Sequence, residues 1–298
     1  MDEKRQRMLK RVIIIAMFTA LCFAATYINV QMPTGDMVHL GNFVMIMAAL
    51  LLGGIEGGVV GSLGMGIYDL IMFSNRPSTI IRTFILKFLI GFMVGFMFRL
   101  VLKKKLNTTK LLVGALGFFL VLFGVSLGFF ISGNFSEFSF GNGLNVIVNN
   151  FFGSGKSVKI SLYIPIFSLV FVIGMIFAII FQRKLSLRSK AALFAITIAI
   201  LANILGEFIL RWVLEGIFNT YVSNIEAGFT VSLATATSKI PGSLITGFLS
   251  IALATLIYEP VYRGVKNLDV FKDNTENLIE EEKEEIKSDD VSDLHFEK

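Results

Sequence analysis

Apolar residues fall into eight long runs separated by short polar connections, a pattern that predicts a bundle of membrane-spanning helices. Most runs approach the ~20 residues that a helix needs to cross a bilayer, whereas the second and third are short, near ~16–17. We therefore expect an all-α polytopic membrane protein with eight spans. The runs cover residues 12–30, 39–54, 56–73, 79–101, 111–131, 160–181, 191–214 and 238–259.

The composition supports this interpretation. Of the 298 residues, 54% are hydrophobic and 16% are charged, and the mean hydropathy is +0.74. A soluble domain of this composition could not cover its surface with polar groups. The single cysteine, Cys22, can form no internal disulfide. The first apolar run is longer than the core of a usual signal peptide, so we expect it to remain as the first helix.

Basic residues mark one side of the predicted bundle. With eight spans, the basic clusters at 4–11, 99–110, 183–190 and 263–266 all lie on the same side. The positive-inside rule then places both termini in the cytoplasm and the protein in the cell membrane. We expect a transmembrane substrate-binding domain over residues 1–268 and an acidic, disordered cytoplasmic tail over 269–298.

A polar loop is expected over residues 132–159, on the outer side. It contains the sequence GSGKS at 153–157, which matches only part of a phosphate-binding loop. The full pattern requires glycine where Asn150 stands, together with a preceding hydrophobic strand. We therefore interpret this segment as an external loop without nucleotide chemistry.

Several ionisable and amide side chains interrupt the apolar runs, and with cytoplasmic termini nearly all of them lie in the outer layer of the bundle. Such groups are costly in lipid and indicate a ligand site by default. Their convergence from five helices strengthens that hypothesis. We predict that the substrate is bound by Asn42, Asp69, Arg82, Lys87, Asn203, Glu207, Arg211 and Lys239.

Each of these groups also has a purely structural interpretation. Glu207 and Arg211 are four residues apart and can form an intrahelical ion pair. Arg82 and Lys239 can extend their charged ends toward lipid headgroups. Asp69 can form a structural bridge to Arg82 or Lys87. Lys87 is the hardest to explain in this way, because it lies ~12 Å below the outer edge; His39, also near that edge, is typical of an interfacial residue.

Small residues recur at intervals of four. Gly53, Gly57 and Gly61 form one such series and Gly91 and Gly95 another, and both favour close helix packing in lipid. On the first helix, Ala16, Ala20 and Ala24 share one face. Spacing alone leaves open whether this face packs inside the chain or against a partner protein.

These residues resemble the substrate-binding S components of energy-coupling factor (ECF) transporters, in the branch of riboflavin-, hydroxymethylpyrimidine- and queuosine-precursor-type proteins. The resemblance rests on AMFTALCFAA, HLGNFVMIMAALLLGGIEGGVVGSLGMGIYDLI, IRTFILKFLIGFMVGF, LANILGEFILRWVLEG and KIPGSLITGFLSIALATLIYEPVYR. It implies a six-helix core that captures a vitamin or related micronutrient outside the cell. The extra pair of spans, about 111–181, would then be an inserted hairpin able to cover the pocket.

The resemblance also implies partners. S components associate with a transmembrane coupling subunit and two ATP-binding subunits, and in the family an alanine stripe on the first helix meets the coupling subunit. This favours a partner surface at Ala16, Ala20 and Ala24. ATP hydrolysis would belong to the other chains, so we expect neither enzymatic activity nor a cofactor or metal in this one.

Two other classes of protein fit the sequence less well. An autonomous secondary transporter of a small polar solute would show an internal repeat and broken helices near mid-membrane, and no convincing repeat is present. An intramembrane enzyme would require clustered histidines or carboxylates, whereas the chain contains only His39 and His295. The cationic candidates beside Asp69 and Glu207 indicate a polar, partly anionic ligand without identifying it.

Overall fold

The computed structural model describes residues 3–31, 37–104, 106–132, 160–225 and 228–268. The predicted external loop beyond Ser132, with its GSGKS sequence, and the acidic tail lie outside these described residues. A two-stranded antiparallel hairpin, β1 (Asn29–Gln31) and β2 (Met37–His39), follows the first helix. The helices are α1 (Glu3–Tyr27), α2 (Gly41–Leu52), α3 (Gly54–Met72), α4 (Pro77–Lys104), α5 (Thr108–Ser132), α6 (Ile160–Phe181), α7 (Leu187–Ile217), α8 (Gly228–Ser238) and α9 (Ile240–Val265).

The all-α polytopic architecture is confirmed. Within the described ranges, seven helical segments are long and apolar enough to cross a membrane, with α8 and α9 counted together. The predicted run 39–54 differs, because α2 has only 12 residues and is not among the seven. At 1.5 Å per residue, α2 is ~18 Å long, against a hydrocarbon core of ~30 Å.

Short as it is, α2 still reverses the chain between α1 and α3. Its first residue, Gly41, lies against Thr26 near the end of α1. At its other end, the Leu52 carbonyl accepts a hydrogen bond of 3.2 Å from Arg11 Nη2. α2 therefore runs antiparallel to α1 over most of the latter's length, and α3 begins at the level of Arg11. The alternating directions that the sequence predicts are retained.

The two glycine series allow α3 and α4 to pack in direct backbone contact. A methyl group added at Gly91 would lie 2.5 Å from the backbone of Gly57, and one added at Gly95 would overlap the backbone of Gly54. No side chain fits between the helices at these points. Because lipid supplies no hydrophobic driving force, such backbone contact is a principal source of attraction between membrane helices. The predicted close packing is confirmed at this interface.

Gly53 forms the corner between α2 and α3. Its φ of 125° lies in a region that residues with a Cβ rarely adopt. The corner is also crowded, since an added Cβ would lie 2.6 Å from Arg99 Nη2 and 2.7 Å from Glu56 Oε2. Glycine is therefore required by the backbone conformation, whereas the ends of the two flexible charged side chains could move aside.

The α5–α6 pair, which the resemblance predicts to be an inserted hairpin, packs against α7 and α9. Near the middle of the pair, Phe119 and Phe171 stack with ring centroids 4.5 Å apart. At the end where α5 begins, Thr108 donates a hydrogen bond of 3.2 Å to Gln182 Oε1. α1 instead packs mainly on α2 and α3. The α5–α6 pair therefore packs on a different part of the bundle from α1.

The apolar pattern did not predict the structure of two regions, the one after α1 and the one before α9. The first run was expected to remain helical to residue 30, but α1 ends at Tyr27 and the chain enters β1. The connection before the last run contains a π-helical turn (Phe218–Val222) and then α8. α8 is rich in hydroxyls, which weakens the apolar signal. The hydroxyls of Ser232 and Thr235 donate hydrogen bonds to the backbone carbonyls four residues earlier, at 2.8 and 3.0 Å.

Candidate functional site

One cavity of about 440 Å³ opens at the end of the bundle where α1, α3 and α7 end and where α2, α4 and α9 begin. This placement follows from the alternating helix directions, which bring residues far apart in sequence to one level. The structure brings every predicted substrate-binding residue to its wall. These are Asn42, Asp69, Arg82, Lys87, Asn203, Glu207, Arg211 and Lys239.

Two arginines and two glutamates join α4 to α7 along the wall. Arg82 Nε lies 3.2 Å from Glu207 Oε2, and Arg82 Nη1 lies 3.1 Å from Glu215 Oε1. Arg211 approaches the same two carboxylates at 3.5 Å each. Each arginine therefore bridges both glutamates, which lie two turns apart on α7. The resulting network fixes α4 against α7 at the cavity.

Lys87 lies deeper on α4 and is only 5% exposed. Its ammonium donates to Asn203 Oδ1 at 2.9 Å and to Glu207 Oε1 at 3.2 Å. A charge at this depth requires an anionic partner or water, as its position in the sequence predicted. Glu207 supplies that partner and therefore faces three cations at once.

These contacts distinguish between the alternatives left open by the sequence. The Glu207–Arg211 pair exists, but it is longer than the pairs that Glu207 makes with Arg82 and Lys87. Arg82 is 4% exposed and is paired inside the protein, so its charge does not reach toward headgroups. Lys239 is half-buried at the start of α9, on the cavity wall.

Asp69 and Asn42 present polar groups to the cavity from α3 and α2. Asp69 Oδ2 accepts a hydrogen bond of 2.5 Å from Thr83 Oγ1 on α4. Asn42 is 2% exposed, and its Oδ1 has no hydrogen-bond partner within the described part of the chain. An unsatisfied buried amide is costly, and at a cavity wall it marks a position where a ligand or water would bind.

His39 lies on the cavity wall just before α2, outside the membrane-spanning segments. Its Nδ1 accepts a hydrogen bond of 3.2 Å from the Gly41 N–H at the start of α2. Burial, with the Lys87 charge as a second cause, lowers the pKa of His39 to about 4. The imidazole is therefore neutral at physiological pH, which its role as an acceptor requires.

Sequence reasoning missed Glu215, Arg76 and Thr83, which also line the cavity. Glu215 could have been predicted as a site residue, because it continues the four-residue series of Asn203, Glu207 and Arg211 along one face of α7. Nothing in the sequence marked Arg76 or Thr83 as a site residue, since an arginine in a polar connection and a threonine in an apolar helix are both common.

None of the described residues of α5 or α6, the pair predicted to be an inserted hairpin, lines the cavity. These residues therefore do not cover it. The alanine face of α1 is also uncovered. Ala16, Ala20 and Ala24 are all exposed in the described structure, so this face is not used for packing within that part of the chain.

The described residues contain no group of three or more His, Cys, Asp or Glu side chains placed to hold a metal ion. The chain was also compared with known protein families. The family described as "ECF-type riboflavin transporter, S component" matches residues 6–154, which are half of the chain. No curated protein and no solved structure matches the chain significantly. The family match covers α1 to α5, and so includes the α2–α4 side of the cavity.

Proposed function

Because the chain belongs to the S-component family of ECF-type transporters, we propose that it captures a water-soluble vitamin or related micronutrient from outside the cell. The captured molecule is then imported by an ATP-driven complex of which this chain is the substrate-binding subunit. The chain itself catalyses no reaction and holds no cofactor. The observation that best supports this proposal is the cavity at one end of the bundle. Its wall contains polar and charged groups from α2, α3, α4, α7 and α9.

The cavity has the features of a capture site for a small polar molecule. Its volume, about 440 Å³, falls within the ~300–1,000 Å³ of typical small-molecule sites. Arg82, Lys87 and Glu207 are fixed by contacts between helices, so the wall is preorganised before a ligand arrives. Preorganisation reduces the entropic cost of binding.

The charge distribution supports an outward-facing cavity. By the positive-inside rule, the basic connections favour cytoplasmic termini, and with that orientation the cavity opens outward. The end of α1 near Thr26 lies at the cavity, whereas the basic residues at 4–11 lie in the first turns of α1, at the opposite end of the helix. An outward opening is what a subunit that captures a nutrient requires.

The proposed partners are a transmembrane coupling subunit and two ATP-binding subunits. The exposed face of Ala16, Ala20 and Ala24 supports a close contact between α1 and a helix of the coupling subunit, because small residues let backbones approach. The α5–α6 pair packs on α7 and α9, and α1 packs mainly on α2 and α3. The inserted hairpin is therefore compatible with docking at α1.

The proposal is tested by purifying the chain alone from cells grown in rich medium and identifying co-purified small molecules by mass spectrometry. We expect one micronutrient at about one molecule per chain. Transport is then measured in proteoliposomes that contain either the chain alone or the chain with its coupling and ATP-binding subunits. Accumulation should require the complete complex and ATP.

The same experiment tests the alternative that the chain is an autonomous secondary transporter. If the chain alone accumulates the compound down an ion gradient, it is an autonomous secondary transporter and the proposed function is wrong. If the complex accumulates the compound only when ATP is supplied, the secondary-transporter interpretation is wrong.

A further inference from the structure

Five charged side chains of the cavity wall already have partners within the protein. Arg82, Lys87 and Arg211 share the carboxylates of Glu207 and Glu215, at 3.1 to 3.5 Å. These contacts hold the wall between α4 and α7 in place, and a ligand that replaced them would lose the energy they contribute. Unused hydrogen-bonding capacity must therefore be sought elsewhere on the wall.

The charges that meet around this network also balance. With the Asp69 carboxylate included, the three cations of the α4–α7 contact stand against three carboxylates. Arg76 also lines the cavity, but it is exposed, so water and salt screen its charge. The partly anionic ligand that the cationic candidates suggested is therefore not required by these groups.

Two wall groups have acceptor capacity that the described residues leave unused. Asn42 is 2% exposed, and its Oδ1 has no hydrogen-bond partner there. The Asp69 carboxylate accepts the Thr83 hydroxyl and has no ion pair among the described residues, although an ionised carboxylate offers about four acceptor positions. Unsatisfied acceptors at a cavity wall indicate where the donors of a ligand would bind.

The two groups lie in the same corner of the cavity, between α2 and α3. Asn42 follows Gly41, which packs so closely on α3 that an added Cβ would lie 3.2 Å from Met65. Asp69 is four residues beyond Met65, so it lies on the same face of α3, ~6 Å further along the helix axis. One small molecule can therefore contact both acceptors.

A positively charged ligand group would be unfavourable in this corner. Thr83, the hydrogen-bond partner of Asp69, lies on α4 directly after Arg82 and one turn before Lys87. Both cations are therefore near the Asp69 carboxylate and would repel an ammonium group bound to it. Hydroxyl and amide N–H groups donate hydrogen bonds without this repulsion.

We propose that Asn42 and Asp69 recognise an uncharged substrate, which donates hydrogen bonds to both side chains from hydroxyl or amide N–H groups. This inference rests on the proposed capture function and specifies the chemical class of the captured molecule. Hydrogen bonds to a carboxylate are charge-assisted and stronger than those between neutral groups. Asp69 therefore contributes most of the selectivity for donors, and substrate binding satisfies the buried Asn42 amide.

The test compares uncharged small molecules that differ in their hydrogen-bond donors. The chain is purified from cells grown in minimal medium and placed in nanodiscs of phosphatidylcholine, and its thermal unfolding is followed with each compound. The pairs are pyridoxine and 4-deoxypyridoxine, riboflavin and lumiflavin, and nicotinamide and N,N-dimethylnicotinamide, where the second member has fewer donors. In one pair or more, the first member should raise the midpoint temperature and the second should bind about tenfold or more weakly, a difference of roughly 1.4 kcal/mol. Riboflavin 5′-phosphate should bind no more tightly than riboflavin.

Two variants connect the effect to the corner between α2 and α3. Asn42→Leu removes the amide at similar size, and Asp69→Asn replaces one acceptor oxygen while the other can still accept from Thr83. Each should weaken binding of the stabilising compound about tenfold. Asn42→Leu should not lower the midpoint temperature of the ligand-free chain, because Oδ1 has no described partner to lose. Glu259→Gln is the matched control, since it makes the same change from carboxylate to amide near the other end of α9, outside the cavity, and should bind normally.

Equal binding of both members in every pair overturns the donor inference and leaves the capture function standing. Tighter binding of riboflavin 5′-phosphate than of riboflavin also overturns it, because a charge then contributes. If no compound stabilises the chain, the inference is wrong as well, and the proteoliposome experiment decides the capture function separately. Unchanged affinity in both Asn42→Leu and Asp69→Asn would mean that water, and not the substrate, satisfies these groups. A lower midpoint temperature of ligand-free Asn42→Leu would assign the amide a structural role instead.

Discussion

Lys87 Nζ and Glu207 Oε1 lie 3.2 Å apart, although the two residues are 120 positions apart in the chain. Lys87 comes from α4, within the segment that matches the S-component family, and Glu207 comes from α7, beyond it. The cavity is therefore assembled from both parts of the chain. The α5–α6 pair, which separates them in the chain, packs against α7 and α9.

Removing the Lys87 charge is expected to impair ligand capture. Lys87→Ala deletes the donor to Asn203 and Glu207 at the deepest charged point of the wall. The variant should retain about one tenth or less of the co-purified small molecule, measured by mass spectrometry per chain. Lys110→Ala, at an exposed position on α5, should retain the full amount. Equal retention in both variants, with normal membrane insertion, would contradict the assignment of Lys87 to the site.

Neutralising Glu207 is expected to destabilise the fold. Glu207→Gln leaves Arg82 and Lys87, both nearly buried, without their shared carboxylate, and should cost roughly 1–3 kcal/mol of unfolding free energy. Glu259→Gln is the control, because its ion pair is with the exposed Arg263 and such surface pairs contribute about 1 kcal/mol or less. The glutamine amide oxygen can still accept the hydrogen bond from Ser189. Thermal unfolding in the same detergent compares the two. A larger loss in Glu259→Gln would refute the structural importance of the network.

A methyl group at the α3–α4 contact is expected to separate the two helices. Gly91→Ala would place its Cβ 2.5 Å from the backbone of Gly57, so the helices must shift, at a cost of roughly 1–3 kcal/mol. Gly114→Ala makes the same chemical change on α5, where no described atom outside the surrounding helix backbone lies within 4 Å of the added methyl. It should leave the unfolding free energy unchanged or raise it by up to about 1 kcal/mol, because alanine is the better helix former. Similar thermal stabilities would argue against close packing at Gly91.

A bulky side chain on the alanine face is expected to block assembly and spare capture. Ala20→Phe should reduce co-purification with the coupling subunit about tenfold or more, because the ring prevents close backbone approach. The exposed residue Val121 on α5 provides the control Val121→Phe, which should assemble normally. Both variants should keep their bound small molecule. Normal assembly of Ala20→Phe would remove the face from the partner interface.

His39 is expected to contribute to the loss of stability in acid. Its pKa is lowered from 6.5 to about 4 in the folded chain, so unfolding is accompanied by proton uptake between these values. The stabilising contribution is complete above pH 6.5 and is lost as the pH falls toward 4. His39→Asn should therefore show a smaller decrease in midpoint temperature over this interval than the unaltered chain. Parallel curves would mean that His39 titrates alike in both states.

The sequence alone determined the class of fold and most of the candidate site. The length of an apolar run reflects the thickness of the bilayer, and basic residues indicate which connections lie on the same side of it. The helices and their directions could therefore be predicted. Directions in turn placed Asn42, Asp69, Lys87 and Glu207 at one end of the bundle. The glycine series also predicted close packing, because residues spaced four apart lie on the same face of a helix.

Tertiary structure alone decided the pairings between helices. Which carboxylate meets Arg82 depends on the rotation of α4 against α7, and Glu215 enters the wall through that rotation. The length of α2 was likewise set by its neighbour, because α2 is held between Thr26 and Arg11 of α1. The sequence specifies how far each segment can extend and which pairs within one helix are in reach, as for Glu207 and Arg211. Only packing determines which charges meet across helices, because such an ion pair joins positions that are distant in the chain.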